Sequence, residues 1–348
     1  MSQTVFHRVA DSEELILRAK QRDPEALSKL LFARGQLQKT LFASAQQVRD
    51  RFFGRTVVVR GVIEVTSACI KECEYCPMRA SNSQKRYYRR PDEIIAAVRQ
   101  IRDAGIGVVF LQGGEVPHTT RTVAEIIPDI REIFVGEVEV LLCLGDKPKT
   151  ELLELKQAGA DSYIIKHETS DPSLHAALRH VSLESRLECA RDLIELGYRT
   201  GIGTIVGLPG QTARSLVQDV LLPAELGARM TSASPFIPAQ STPMAKEAPG
   251  DVDLTLNVIA LMRLANPSAL IPTVSALEKL RPRGQQLGLH AGANVITVNF
   301  TPTLDQERYP IYGSDRFIVK SKHALTTIAN AGLQPRLGRA AFDFWDNA

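Results

Sequence analysis

The chain has 348 residues, 44% hydrophobic and 23% charged, with a net charge of +3. That is apolar material for one large core or two ordinary ones. The charge is near the soluble-protein average, so no nucleic-acid partner is expected. No run of about 18 apolar residues occurs, so no membrane span is expected. Met1–Arg8 lacks the blocks of a secretory signal. Five cysteines, three of them clustered, predict a metal site in a reducing cytoplasm rather than a disulfide framework.

Residues 11–53 read as helical. Ser12 has a cap-like place before Glu13 and Glu14, and Asp23-Pro24-Glu25 restarts a helix. The segment 1–54 is thus a small helical N-terminal cap. From residue 56, short apolar runs alternate with amphipathic stretches. The strands expected are Val57–Thr66, Gly107–Gln112, Val138–Leu144, Asp161–His167, Thr200–Gly207, Met230–Phe236, Ile271–Ala276 and Ala293–Thr297. A helix is expected over 91–104, where Ile94, Ile95, Val98 and Ile101 mark one face. Ala104-Gly105, Ala158-Gly159 and Leu196-Gly197 read as helix ends leading into strands. Eight buried strands alternating with helices predict an α/β fold, a (β/α)8 TIM-type barrel over 55–335 with a tail at 336–348. A doubly wound open sheet is the competing architecture.

Chemistry in such a barrel gathers where strands end. After the first strand comes Cys69-x3-Cys73-x2-Cys76. Three thiolates on one loop can hold three irons of a 4Fe-4S cluster and leave the remaining iron open to a chelating small molecule. A zinc site would want a further ligand, and none lies close in sequence. Tyr75 could cover the cluster or touch a ligand. After the second strand comes Gly113-Gly114-Glu115, where glycines permit close backbone approach and strand-end carbonyls could accept from an ammonium group. Glu168 ends an apolar strand, where a carboxylate is costly unless paired or bound. It forms either a structural pair with Arg186 or a ligand site, with Glu168 on ribose hydroxyls and Arg186 on a carboxylate. His167 and His175 read as packed or surface histidines, and Cys143 and Cys189 as small buried residues. Gly201-Ile202-Gly203-Thr204 lacks the Lys-Ser/Thr of a phosphate loop. Lys85–Arg90 is either a solvated lead-in to the helix at Pro91 or an anion-attracting rim beside the cysteine loop.

These motifs resemble the radical S-adenosylmethionine (radical SAM) superfamily. The resemblance extends over about residues 55–335 to the HydE-type FeFe-hydrogenase maturases of the biotin-synthase-like branch. It runs through Lys166–His175, Leu178-Arg179, Gly203–Thr212, Pro235–Pro238, Ser241–Pro243 and Ala291–Ile296. A weaker likeness reaches methylornithine synthase and biotin synthase. The resemblance implies one 4Fe-4S cluster on Cys69, Cys73 and Cys76 and SAM chelated to its open iron. It places Gly114 and Glu115 at the SAM amino group, Glu168 at the ribose and Arg186 at the carboxylate, with Gly113 and Tyr75 as further cofactor contacts. Reductive cleavage to a 5′-deoxyadenosyl radical is implied, with a reductant such as flavodoxin or ferredoxin.

Several positions depart from the family. Biotin synthase's auxiliary-cluster cysteines are matched here by Leu141 and Gly201. No cysteine follows Cys189, where several maturases carry a dispensable second cluster. Lys166 stands where the maturase has arginine, Val274-Ser275 where it has a threonine pair, and His118-Thr119-Thr120 where it has a tyrosine pair. These departures set the expected substrate apart from the maturase's own, and the resemblance implies a small amino-acid-like or thiol-bearing molecule, with Lys166, Thr273 and Ser275 as contacts. A methylornithine-synthase-like carbon-skeleton mutase is the alternative enzyme, and a non-catalytic iron–sulfur carrier the alternative of another class.

Overall fold

The computed structural model describes residues 2–306 and 308–338. Eight strands are present among them: β1 Thr56–Thr66, β2 Val108–Gly113, β3 Glu139–Cys143, β4 Ser162–Ile164, β5 Arg199–Val206, β6 Met230–Pro235, β7 Val295–Asn299 and β8 Gln334–Arg336. All pairs are parallel, in the order β6-β5-β4-β3-β2-β1-β7. The sheet curls, and residues 270–273 bridge β6 to β7. Thr231 N donates to Leu270 O (3.0 Å) and Thr273 N to Val295 O (2.8 Å).

The strand expected over Ile271–Ala276 is therefore corrected. Only isolated bridges at Leu270 and Pro272 occupy that barrel position, and Ser275 opens the helix Ser275–Leu280. Pro272 has no N–H to give a ladder, so the pairing stays short. β4 is also shorter than expected, and its line continues only through the bridge Glu168↔Thr204. β8 was not expected. It pairs with the start of β1 at Thr56–Val58, outside the ring order.

Period-two alternation sorts the strand residues. Val58, Val62, Val108, Phe110, Leu141, Ile164, Met230, Leu270 and Val295 pack together with Phe53 inside the barrel. Val57, Val59, Ile63, Val109, Leu111, Val140 and Leu142 belong to the larger core with the surrounding helices. Gly105, Gly159 and Gly197 follow helices with φ of +73°, +112° and +77°, as their positions predict.

The N-terminal helices Ser2–Lys20, Pro24–Leu31 and Gly35–Phe53 pack on the helix Val252–Ala265. Ser12 lies inside the first of these rather than at its start. The break falls at Asp23, which accepts from Glu25 N and Ala26 N. Among the described residues no helix is long and apolar enough to cross a membrane. The tail expected at 336–348 lies outside the described residues from 339 onward.

Candidate functional site

A cavity of about 300 Å³ opens at the C-terminal ends of the strands. Cys69, Cys73, Cys76, Tyr75, Gly113, Gly114, Glu115, Lys166, Glu168, Arg186, Thr273 and Ser275 all line it, so residues spread over two hundred positions meet in one space.

The cysteine loop is held mainly by backbone contacts. Arg86 donates to four of its carbonyls: Ser67 (2.8 Å), Met78 (2.9 Å), Arg79 (2.6 Å) and Asn82 (3.1 Å). Ile70 N donates to Glu115 O (2.9 Å) and Glu74 N to Leu178 O (2.9 Å). Gly114 lies so close to the loop that a Cβ there would stand 2.0 Å from Ala68 O. The basic stretch is thus spent largely on the protein itself. Arg89 pairs with Asp305 (2.7 Å) and exposed Arg90 with Asp92 (3.1 Å).

Burial pushes the Cys76 thiol up to about 12 and raises Cys73 as well. No three His, Cys, Asp or Glu side chains among the described residues converge on a single-ion site. A single zinc needs its ligands about 2.0–2.3 Å from one point. Thiolates on different irons of a cluster stand further apart. Cys143 also lines the cavity, at the end of β3. Cys189 is buried away from it, with Sγ 3.8 Å from Lys147 O.

Beside the loop lies a charged cluster. Arg179 and Arg186 both donate to Glu115 Oε1, at 2.7 and 3.0 Å. Arg186 also donates to Asp146 (2.6 Å), and Lys71 lies 3.6 Å from Glu115. Burial alone would raise the Glu115 carboxyl, but Arg186 and then Arg179 outweigh it and hold it at about 2. Gly145, at φ +78°, leaves room for Glu115, whose Cγ would be 1.8 Å from a Cβ there. Arg179 and Asp146 are residues of the cluster to which sequence reasoning assigned no role, although Asp146 stands where the third strand ends. Arg179 sits in a stretch already singled out for its likeness to the maturases, so its signal was present.

Glu168 is buried and adopts φ +65°, a region costly for a residue with a side chain. Its Oε2 is buried without a hydrogen-bond partner, and its Oε1 lies 3.9 Å from Arg179. The Nε atoms of Arg179 and Arg186 are likewise unpartnered. Tyr75 Oη accepts from Arg179 Nη1 (3.2 Å).

Deeper in the barrel, Lys166 has no hydrogen bond or ion pair among the described contacts. Tyr312 favours its charged form against burial. Arg60, also missed, donates to Thr297 (2.7 Å) and stacks over Phe110, with no carboxylate partner. Thr273 donates to Gln285 O (2.7 Å), so its hydroxyl proton is engaged within the protein. Ser275 stands at the first turn of its helix. Glu64, by contrast, is neutralised by Arg316 Nη2 (2.7 Å). His167 and His175 are fully buried outside the cavity lining, as their packed reading predicts.

A parallel barrel with three cysteines after its first strand and a Gly-Gly-Glu turn after its second defines the radical SAM class of enzymes. A family model described as the Radical SAM superfamily matches residues 63–222, and the chain belongs to that superfamily. It is 41% identical over 277 residues to the FeFe hydrogenase maturase HydE of Thermotoga maritima, covering 79% of each chain. It is 26% identical over 279 residues to 3-methylornithine synthase of Methanosarcina barkeri, covering 79% of this chain and 78% of that one. A crystal structure of methylornithine synthase, 23% identical, superposes with a TM-score of 0.83 over 94% of this chain and 99% of that one.

Membership implies a 4Fe-4S cluster, SAM, a reductant and a small-molecule substrate. The residues present fit the first two. Three thiols face one cavity, and beside them a buried carboxylate oxygen and two guanidinium Nε donors lack partners. Five other buried polar atoms among the described residues also lack partners, but these three are the ones whose residues line the cavity with the thiols, where a bound group would satisfy them.

Proposed function

We propose that this radical SAM enzyme acts in hydrogenase-maturase-like cofactor biosynthesis, on a small amino-acid-like or thiol-bearing substrate. Cys69, Cys73 and Cys76 hold the cluster. The Gly113–Glu115 turn, Glu168, Arg186 and Tyr75 hold SAM, with Arg179 added to that set. When bound, cluster and SAM together supply a reductively generated 5′-deoxyadenosyl radical. Glu168 accepts from ribose hydroxyls. Glu115 keeps Arg179 and Arg186 fixed and only partly neutralised beside the cluster loop. Lys166 and Arg60 give the cavity two cations with no hydrogen-bonded carboxylate among the described residues, Glu168 acting on Lys166 only through space. That suits a substrate carrying an anionic group. Ser275 and Thr273 line the same cavity, Thr273 with only oxygen lone pairs to offer.

The observation that carries this reading is the Glu168 carboxylate, strained, buried and half unpartnered, facing the same cavity as the three thiols. A passive cluster carrier has no use for it. Anaerobic reconstitution with iron and sulfide tests the reading. About four irons per chain are expected, with SAM converted to 5′-deoxyadenosine on reduction. Cys73→Ala loses both, and Cys189→Ser keeps both. Normal SAM cleavage by Cys73→Ala would sink the assignment. Methylornithine formed from lysine in the same assay would favour the mutase instead.

A further inference from the structure

The strained backbone of Glu168 needs something to hold it, and the structure assigns that task to Asp219. We propose that Asp219, outside the cavity on the helix Ala213–Glu225, is a positioning residue that aims Glu168 at the ligand. This inference rests on the reading that Glu168 binds SAM.

Asp219 is fully buried on a helix face whose other buried members include Ser215, Leu216, Leu222 and Pro223. A carboxylate there is costly unless its oxygens are satisfied. None of its hydrogen-bond partners is a lysine or arginine. Its Oδ1 accepts from Ser170 N (2.6 Å) and lies 3.0 Å from His167 Nε2, which donates in the Nε2–H tautomer. Its Oδ2 lies 2.9 Å from Thr204 Oγ1 and 3.3 Å from Gln211 Nε2. His167 and Ser170 flank Glu168 in the chain. Thr204 is Glu168's bridge partner on β5, and its Oγ1 is also 2.8 Å from Glu168 O.

One carboxylate therefore grips the turn on both sides of Glu168 and lies against Thr204, whose single hydroxyl proton it shares with Glu168 O. Glu168 N donates to Gly203 O (3.0 Å) and Ile205 N to Glu168 O (2.8 Å). Those bonds register the turn on β5. Its far limb is tied to the helix by Ser170 Oγ donating to Ser215 O (2.8 Å) and by Asp219 accepting from Ser170 N, the one of the two ties made to the turn's backbone. Without this tie the 167–170 turn can relax from the left-handed conformation, and the Glu168 carboxylate swings off the cavity. A left-handed glutamate persists only where its surroundings over-determine it.

The test is a double-mutant cycle on the cluster-loaded, unreduced protein, with the SAM dissociation constant measured by equilibrium dialysis. Iron per chain is measured alongside. Glu168→Ala is expected to weaken SAM at least tenfold. Asp219→Ala is expected to weaken it about tenfold with four irons retained. Combining the two is expected to be no worse than Glu168→Ala alone. Asp219→Asn keeps the acceptor for Ser170 N, so it is expected to recover part of the loss. It also serves if the alanine variant does not fold.

An Asp219→Ala effect that multiplies with that of Glu168→Ala overturns the proposal, because Asp219 would then act independently of Glu168. Unchanged SAM affinity in Asp219→Ala overturns it too. Unchanged affinity in Glu168→Ala instead removes the reading of Glu168 as a SAM ligand, and the proposal falls with it.

Discussion

Replacing Gly114 with alanine separates two roles that a Gly-Gly-Glu turn can play. If Gly114 serves only the ligand, alanine should weaken SAM binding and spare the cluster. The packing predicts the reverse order of events. An added Cβ would stand 2.0 Å from Ala68 O, 2.8 Å from Ala68 C and 2.9 Å from the Cys69 Cβ. These are atoms of the cysteine loop, two of them backbone, so relief requires the loop to move by about 1 Å or more. Overpacking of a tight core costs about 1–3 kcal/mol and sometimes more. Rigid backbone puts this case at or above about 3 kcal/mol, on the order of a hundredfold against the loop geometry that holds the cluster. Gly113→Ala is the internal control. Its Cβ would meet the Thr66 Cγ2 at 3.0 Å and the Val65 Cγ2 at 3.1 Å, both side-chain atoms that can yield. The assay is iron per chain and cluster absorbance after reconstitution, then SAM binding. Gly114→Ala should fall well below four irons per chain, and Gly113→Ala should keep close to the wild-type iron content. A Gly114→Ala protein with a full cluster and only weakened SAM binding would refute the reasoning.

Two further outcomes follow from the charged contacts. Glu115→Gln leaves Arg179 and Arg186 short of a buried counter-charge and should cost about 3 kcal/mol at pH 7 in a urea titration. The native Glu115 carboxyl is held at about 2 rather than 4.5. Its contribution is therefore complete above about pH 4.5 and lost as pH falls toward 2, so the gap between variant and wild type should narrow at pH 3. An equal gap at both pH values would exclude this account. Arg86→Met removes a guanidinium from four loop carbonyls. It should shorten the lifetime of the reconstituted cluster under a chelator challenge about tenfold or more, since each charged hydrogen bond contributes about 1.5–3 kcal/mol. An unchanged lifetime would show that the loop holds itself.

Much of the barrel was legible because its strands are short apolar runs bounded by glycine caps, and these patterns are local. The seventh strand was misread for the same reason. Ile271–Ala276 is apolar enough to be a strand, but Pro272 withholds a donor and Ser275 starts a helix, so only the closure of the ring fills that position. β8 was missed because Gln334-Pro335-Arg336 has no apolar pattern, and its pairing with β1 is set by where the preceding helix delivers it.

The sequence alone determined the thiol chemistry. Three cysteines at that spacing must share a loop, because a few residues of chain cannot separate them. It also determined that Gly113-Gly114-Glu115 ends a strand, whereas Glu168 lies past the end of β4 and meets β5 by an isolated bridge. Only the tertiary structure decided what those residues do for one another. It gave Gly114 a second task, clearance for the cysteine loop. It put Glu115 between two arginines and Asp146 against Arg186. It set Asp219 behind Glu168, 51 positions away in the numbering. Hydrogen bonds and steric contacts act over a few ångströms, so only folding decides which distant residues come within their reach.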